Sequence, residues 1–241
     1  MQSTLSVALS AQMSLQKRLE TIANNVANAS TAGFRAEEVK FETLLSHASS
    51  TPVAFASAGQ SYLSRASGEL TRTDDQFDVA VQGDAWLGVQ TPAGTVYTRD
   101  GRFKMTATGE LQTLNGYAVL DAGSSPILLD PNAGPPRIAR DGAITQNNRA
   151  IGAIGLFKID EKASLKRFDN SGVIPDRPAT PAVEFSKIGM QQGFIERANV
   201  NPVLEMSKLI MVSRTFDAVS SSLKDSESTM QDAIRTLGAT S

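Results

Sequence analysis

Apolar residues recur at a helical period at both ends of the chain and at a strand period between them. Within residues 203–237, Leu209, Phe216, Leu223, Met230 and Leu237 fall at successive steps of seven, and Val212, Val219, Ser226 and Ala233 lie three residues after the first four. This is the a/d seam of a heptad helix. Asn201 ahead of Pro202 supplies an N-cap and a proline at the first helical position, and Gly238 follows the last apolar residue. Both ends therefore carry boundary signals. A helix of this length runs to roughly 50 Å, longer than a compact domain of this size is wide. It needs a partner.

A second stripe, Leu5, Ala8, Gln12, Leu15, Leu19, Ile22 and Val26, alternates steps of three and four and is weakened by its one Gln. Poor helix formers then gather at residues 24–33, which predicts a stop between Ala27 and Gly33. Two heptad helices at the two termini predict an antiparallel coiled coil, each covering the other's stripe; the alternative is separate packing on the middle of the chain.

From Arg35 the periodicity fades. Val39, Phe41, Leu44 and Leu45 suit a short helix or extended segment, and residues 46–68 are rich in Ser, Ala and Gly. The expectation is extended chain lying on neighbouring surfaces. Strand alternation begins at Phe77-Asp78-Val79-Ala80-Val81, resumes over residues 85–90 after Gly83-Asp84, and continues at Thr95-Val96-Tyr97-Thr98 after Pro92-Ala93-Gly94. Asp100-Gly101, Thr108-Gly109, Asn115-Gly116 and Asp141-Gly142 are turn pairs between further short runs, residues 151–159 read as one strand despite two glycines, and prolines punctuate 131–136 and 175–181. This is a meander. The fold class is α+β: an N-terminal helix over 1–34, an extended connector over 35–75, an all-β middle domain over 76–198, and a C-terminal helix over 199–241 that joins 1–34 in a helical domain.

Composition narrows the function. At 241 residues and 41% hydrophobic, the chain has enough apolar mass for a core in one or two domains. Its net charge of −2, with both signs interspersed, offers no basic field for nucleic acid or an anionic membrane. No apolar run approaches the ~20 residues of a membrane span, so no membrane insertion is expected. Met1-Gln2-Ser3-Thr4-Leu5 lacks the basic flank and apolar core of a cleavable signal. With no cysteine and one histidine, His47, thiol and imidazole chemistry have almost nothing to work with. Phosphate-loop, dinucleotide, nucleophile-elbow and metalloprotease motifs are absent from the sequence. Asp74, Asp75 and Asp78 suggest a carboxylate or hard-cation site, but their spacing matches no cation loop and acidic residues beside a strand are ordinary. Asn28-Ala29-Ser30 is formally a glycosylation acceptor, more simply read as helix-end capping. No catalytic residue, cofactor or metal is expected. Two uncovered heptad stripes and a β domain describe a chain that works by contact with copies of itself; head-to-tail contacts that do not close give a helical tube. The competing reading is a secreted enzyme or carbohydrate-binding module with a cleft at Trp86 beside Asp74, Asp75 and Asp78.

Ala23-Asn24-Asn25-Val26-Ala27-Asn28-Ala29-Ser30-Thr31-Ala32-Gly33-Phe34-Arg35 resembles the N-terminal signature of the bacterial flagellar rod and hook family. Glu196-Arg197-Ala198-Asn199-Val200, followed by Glu205-Met206 and the long helix, resembles its C-terminal signature, with Ala198 where Ser is usual. Residues 76–87, 97–103 and 108–111 resemble the β domain of the longer members, and the ends of the chain favour a proximal-rod over a distal-rod member. The resemblance implies a structural subunit of the periplasmic rod, exported by the flagellar export apparatus, that assembles with copies of itself and with other proximal and distal rod subunits. The tube it implies transmits motor torque to the hook. The assembly seam on this reading is Leu5, Leu15, Leu19, Ile22, Val26, Leu209, Val212, Phe216, Val219, Leu223, Met230 and Leu237. The motif residues are Asn24, Asn25, Asn28, Gly33, Phe34, Asn199, Val200, Glu205 and Met206.

Overall fold

The computed structural model describes residues 2–46, 53–57 and 59–238. His47 lies outside the described residues, as do the side chains of Leu5, Met230 and Leu237. Two long helices and a mostly β middle make the fold α+β. The chain divides into two compact units: Met1–Ala27, Glu37–Tyr62 and Asn201–Ser241 form a helical unit, and Asn28–Ala36 with Leu63–Val200 form a β unit.

In the helical unit, α1 covers Gln2–Ala27 and α2 covers Pro202–Gly238. The N-cap of α2 is the one its sequence dictates: Asn201 Oδ1 accepts the Leu204 N–H at 3.1 Å and Asn201 O accepts the Glu205 N–H at 3.0 Å. α1 and α2 pack on each other, and Gln12, the polar member of the first stripe, donates to the Ser220 hydroxyl at 3.3 Å. Ile22 and Val212 are buried, whereas Leu15, Leu19, Val26, Leu209, Phe216, Val219 and Leu223 are half-buried. A second apolar set on α2, Val203, Leu204, Met206, Ile210 and Met211, is exposed.

The stretch read as an extended connector, 35–75, carries paired strands. Glu37–Lys40 pairs with Gln60–Leu63, and Thr43–Ser46 runs antiparallel to Val53–Ala56. The Ser10 hydroxyl accepts the Ala56 N–H at 3.3 Å, and the Ser14 hydroxyl donates to Ser57 O at 3.0 Å, seating this arm on α1. Leu70–Arg72 pairs with Phe194–Glu196 within the β unit. These strands are short and built largely from small or polar residues, so their alternation leaves little hydrophobic contrast to read. The N-terminal helix ends at Ala27, and residues 28–36 belong with the β unit rather than with the helix.

The β unit is organised by a nine-stranded sheet. Its main path runs Leu165–Phe168, Gly172–Pro175, Gly94–Thr98, Trp86–Thr91, Ala118–Val119, Leu111–Thr113 and Phe103–Met105, and Leu156–Lys158 also pairs with Trp86–Thr91. A separate pair joins Val79–Gln82 to Gly189–Gln192, and Arg137–Ile138, Ala143–Gln146 and Arg149–Ala153 form a three-stranded sheet. The core gathers Val79, Val81, Leu87, Phe103, Leu111, Val119, Ile144, Leu156 and Met190. The single strand expected over 151–159 is instead two strands in different sheets, Arg149–Ala153 and Leu156–Lys158. At the break Gly155 lies so close to the backbone of Asp121 that a Cβ would stand 2.6 Å from its carbonyl carbon, and the Gly155 N–H bonds Leu120 O at 2.9 Å. That contact turns the chain from one sheet into the other.

Candidate functional site

Three remote stretches of the chain meet inside the β unit around Glu196. After α1 ends, Asn28 closes a turn by accepting the Thr31 N–H on its carbonyl at 3.0 Å and the Thr31 hydroxyl on Oδ1 at 3.2 Å. Gly33 follows at φ +67°, its N–H bonded to Glu196 O at 2.8 Å, in a place where a Cβ would lie 2.2 Å from Asp100 N. Only a residue without a side chain lets the two backbones approach this closely. Phe34 is fully buried beneath the guanidinium of Arg167, 4.3 Å from the ring centroid.

Arg35 and Arg99 converge on the Glu196 carboxylate. Arg35 Nη2 lies 2.9 Å from Oε1 and Arg99 Nη1 lies 3.0 Å from Oε2, with all three side chains 1% exposed. Both guanidinium groups also stand over the ring of Trp86, each 5.4 Å from its centroid, and Trp86 has no exposed surface. Backbone groups complete the cluster. Oε1 accepts the Gly68 N–H at 2.8 Å, Arg99 donates to Val81 O at 2.9 Å and to Gly83 O, and Arg35 donates to Ala66 O. Asn199 closes it from the side: Oδ1 accepts the Ala36 N–H at 2.6 Å, Nδ2 donates to Ala66 O at 2.8 Å, and its own N–H reaches Phe34 O at 3.3 Å.

The electrostatics follow from burial. Loss of water pushes the Arg35 guanidinium down to about 10, with Glu196 opposing the shift and Arg99 adding to it. Arg99 moves down for the same first reason, opposed by Glu196 and Asp84. At about 10, the Arg35 guanidinium stays charged at neutral pH, and the buried Glu196 carboxyl group faces two guanidinium groups, on both of which Asp84 also acts as a negative charge. The cluster's carboxylate is buried and taken up by two guanidinium groups and the Gly68 N–H. Its chemistry is to hold chain segments together.

The motif residues divide. Gly33, Phe34 and Asn199 belong to this cluster, and Asn25 does its work in the helical unit, against Glu37. Asn24 is exposed, Val200 is half-buried, Glu205 is buried and pairs with Lys208 at 2.6 Å, and Met206 is exposed. Arg35, Arg99 and Glu196 lie within the runs that resemble the family, and nothing in those runs marks them as one charge cluster. The available signal was a charge closing an aromatic-containing run each time: Phe34-Arg35, Tyr97-Thr98-Arg99 and Phe194-Ile195-Glu196.

The alternative cleft at Trp86 fails on position: the ring is buried among arginines and lines no opening. Asp74 is an exposed partner of Arg72 at 2.6 Å, and Asp75 caps its own turn by accepting the Phe77 N–H at 2.9 Å. Asp78 is half-buried, and that burial raises its carboxyl. Among the described residues no group of three or more His, Cys, Asp or Glu is placed to hold a metal ion.

Three family profiles match in chain order: "Flagella basal body rod protein" over residues 5–35, "Flagellar hook protein FlgE/F/G D1 domain" over 80–146, and "Flagellar basal body rod FlgEFG protein C-terminal" over 191–236. The chain is 52% identical over 241 residues to the flagellar basal-body rod protein FlgF of Mesorhizobium japonicum, covering 100% of both. It is 48% identical over 238 residues to FlgF of Rhizobium meliloti, covering 99% of each. Against the flagellar basal-body rod protein FlgG of Bacillus subtilis the identity is 27% over 255 residues, covering 94% of this chain and 96% of the relative.

Proposed function

The chain belongs to the flagellar basal-body rod protein family and is a structural subunit of that rod, most like FlgF; from this premise we propose that it builds the proximal part of the rod, as a helical tube carrying motor torque to the hook. The observation that carries this reading is end-to-end similarity to FlgF at 52% identity, against 27% for an FlgG. The lower figure weighs against the distal-rod alternative.

In this reading α1 and α2 pair as an antiparallel coiled coil, with Leu15, Leu19, Ile22 and Val26 facing Leu209, Val212, Phe216, Val219 and Leu223. Leu5, Met230 and Leu237 extend the seam. The half-buried state of most of these side chains supports an incomplete seam that neighbouring subunits finish. The exposed set Val203, Leu204, Met206, Ile210 and Met211 supplies further apolar surface for that purpose. The helices line the inner wall of the tube, and torque is resisted by many side-by-side contacts with no catalytic step. Partners are copies of this chain and other rod subunits. The chain reaches the periplasm through the flagellar export apparatus.

Imaging of basal bodies from cells lacking this chain tests the proposal. Rods that stop at the proximal level, and are completed when the chain is restored, are the expected result. A complete rod in its absence sinks the proposal.

A further inference from the structure

The chain passes between its two units at four points, after residues 27, 36, 62 and 200. In the β unit all four lead into the Glu196 cluster. Residues 28–36 carry Gly33 and Arg35, residues 63–68 carry Ser64, Ala66 and Gly68, and residues 196–200 carry Glu196 and Asn199. Direct bonds tie these stretches to one another: Ser64 N–H to Ala36 O at 2.8 Å, Ala36 N–H to Asn199 Oδ1 at 2.6 Å, and Gly68 N–H to Glu196 Oε1 at 2.8 Å.

Stability alone does not account for charges here. Removing ionic groups from water costs on the order of what their attraction returns, and apolar side chains of similar volume often fill such a space without loss. The arrangement is also imperfect as a source of energy, because the Nε atoms of Arg35 and Arg99 and the indole nitrogen of Trp86 are buried without a hydrogen-bond partner. What apolar packing does not provide is direction. Arg35 reaches Glu196 and Ala66, Arg99 reaches Glu196, Val81 and Gly83, and Glu196 reaches Gly68. These contacts fix the relative places of backbone segments that hydrophobic contact leaves free to slide.

We propose that Arg35, Glu196 and Arg99, packed on Trp86, form a positioning cluster that fixes where the chain leaves the β unit, and that rod assembly depends on this fixed geometry more than the fold depends on the cluster for stability. The proposal rests on the rod reading for its cellular consequence only.

The test uses the full chain. The triple variant Arg35→Met, Glu196→Leu, Arg99→Met is expected to melt at or above the wild-type temperature. Its Gly68 and Ser64 amides are expected to exchange at least about tenfold faster, and it should fail to complete rods in cells that lack the native chain. Arg35→Lys keeps the charge and removes the fork; it is expected to fold and to show the same faster exchange at Gly68, with fewer completed rods. A triple variant that unfolds overturns the claim about stability. One that is folded, with unchanged exchange at Gly68 and Ser64 or with normal rods, overturns the positioning role. The exchange measurement on purified protein stands apart from the rod reading, which fails instead if cells without the chain build complete rods.

Discussion

The side chain of Asn25 and the backbone of Glu37 exchange two hydrogen bonds of 2.8 Å, Nδ2 to Glu37 O and Glu37 N–H to Oδ1. An amide side chain on the last turns of α1 thus stands in for a neighbouring strand and pins the start of Glu37–Lys40. Asn25 is 4% exposed, so water does not replace these bonds if they are lost. Asn25→Ala leaves a donor and an acceptor unpaired and is expected to cost about 1–3 kcal/mol. Asn25→Asp keeps the acceptor for the Glu37 N–H and loses the donor. Hydrogen exchange at the Glu37 amide separates them: protection should survive in Asn25→Asp and vanish in Asn25→Ala. Equal protection in both would show that the bonds are incidental.

Gly33 offers a harsher test. Its left-handed backbone costs any other residue on the order of 1 kcal/mol, and a Cβ there meets backbone atoms of Arg99 and Asp100 at 2.2–2.8 Å. Those atoms do not rotate away. Gly33→Ala is therefore expected to destabilise the β unit by more than about 3 kcal/mol. Trp86, fully buried beside Arg35 and Arg99, reports the change directly. Its fluorescence unfolding midpoint should fall steeply in denaturant, and an unchanged midpoint would refute the close approach.

How much of this was legible follows from the range of each interaction. The two terminal helices, the Asn201 cap and the Asn115-Gly116 turn were readable because their determinants lie within a few residues. Gly116 takes φ +86° and its N–H bonds Thr113 O at 3.0 Å, as an Asn-Gly turn requires. Strands in 37–63 were missed because small and polar residues hide the alternation. The Glu196 cluster was beyond local reasoning: Arg99 and Glu196 are 97 residues apart, and neither carries a mark of its partner. The competing cleft at Trp86 fails for the same reason: its nearness in sequence to Asp74, Asp75 and Asp78 says nothing of Arg35 and Arg99, which cover the buried ring in the fold.

Acid stability should register Asp160. Its carboxyl is held below the usual 3.8, first by the Lys162 N–H at 2.8 Å and then by Arg177 at 2.9 Å. A lowered carboxylate contributes stability that is present above the unfolded value and is lost as pH falls through the folded value. Wild type should therefore exceed Asp160→Asn at neutral pH, and the difference should shrink only below about pH 4. A difference that grows on acidification would reverse the assignment.

The seam itself separates folding from assembly. Among the described side chains of α2, Val212 is the buried apolar position, at 6% exposure, while Leu223 is half-buried further along. A charge at Val212 must enter an interface that already exists in the single chain; a charge at Leu223 enters one that neighbouring subunits still have to complete. Val212→Asp should loosen the α1–α2 contact in the monomer, seen as faster amide exchange in the first turns of α2. Leu223→Asp should leave monomer exchange and the Trp86 unfolding midpoint nearly unchanged and yet block rod completion in cells. Normal rods from the Leu223→Asp chain would mean that the outer half of the stripe faces solvent in the finished tube, and that the heptad of α2 extends beyond any contact it makes.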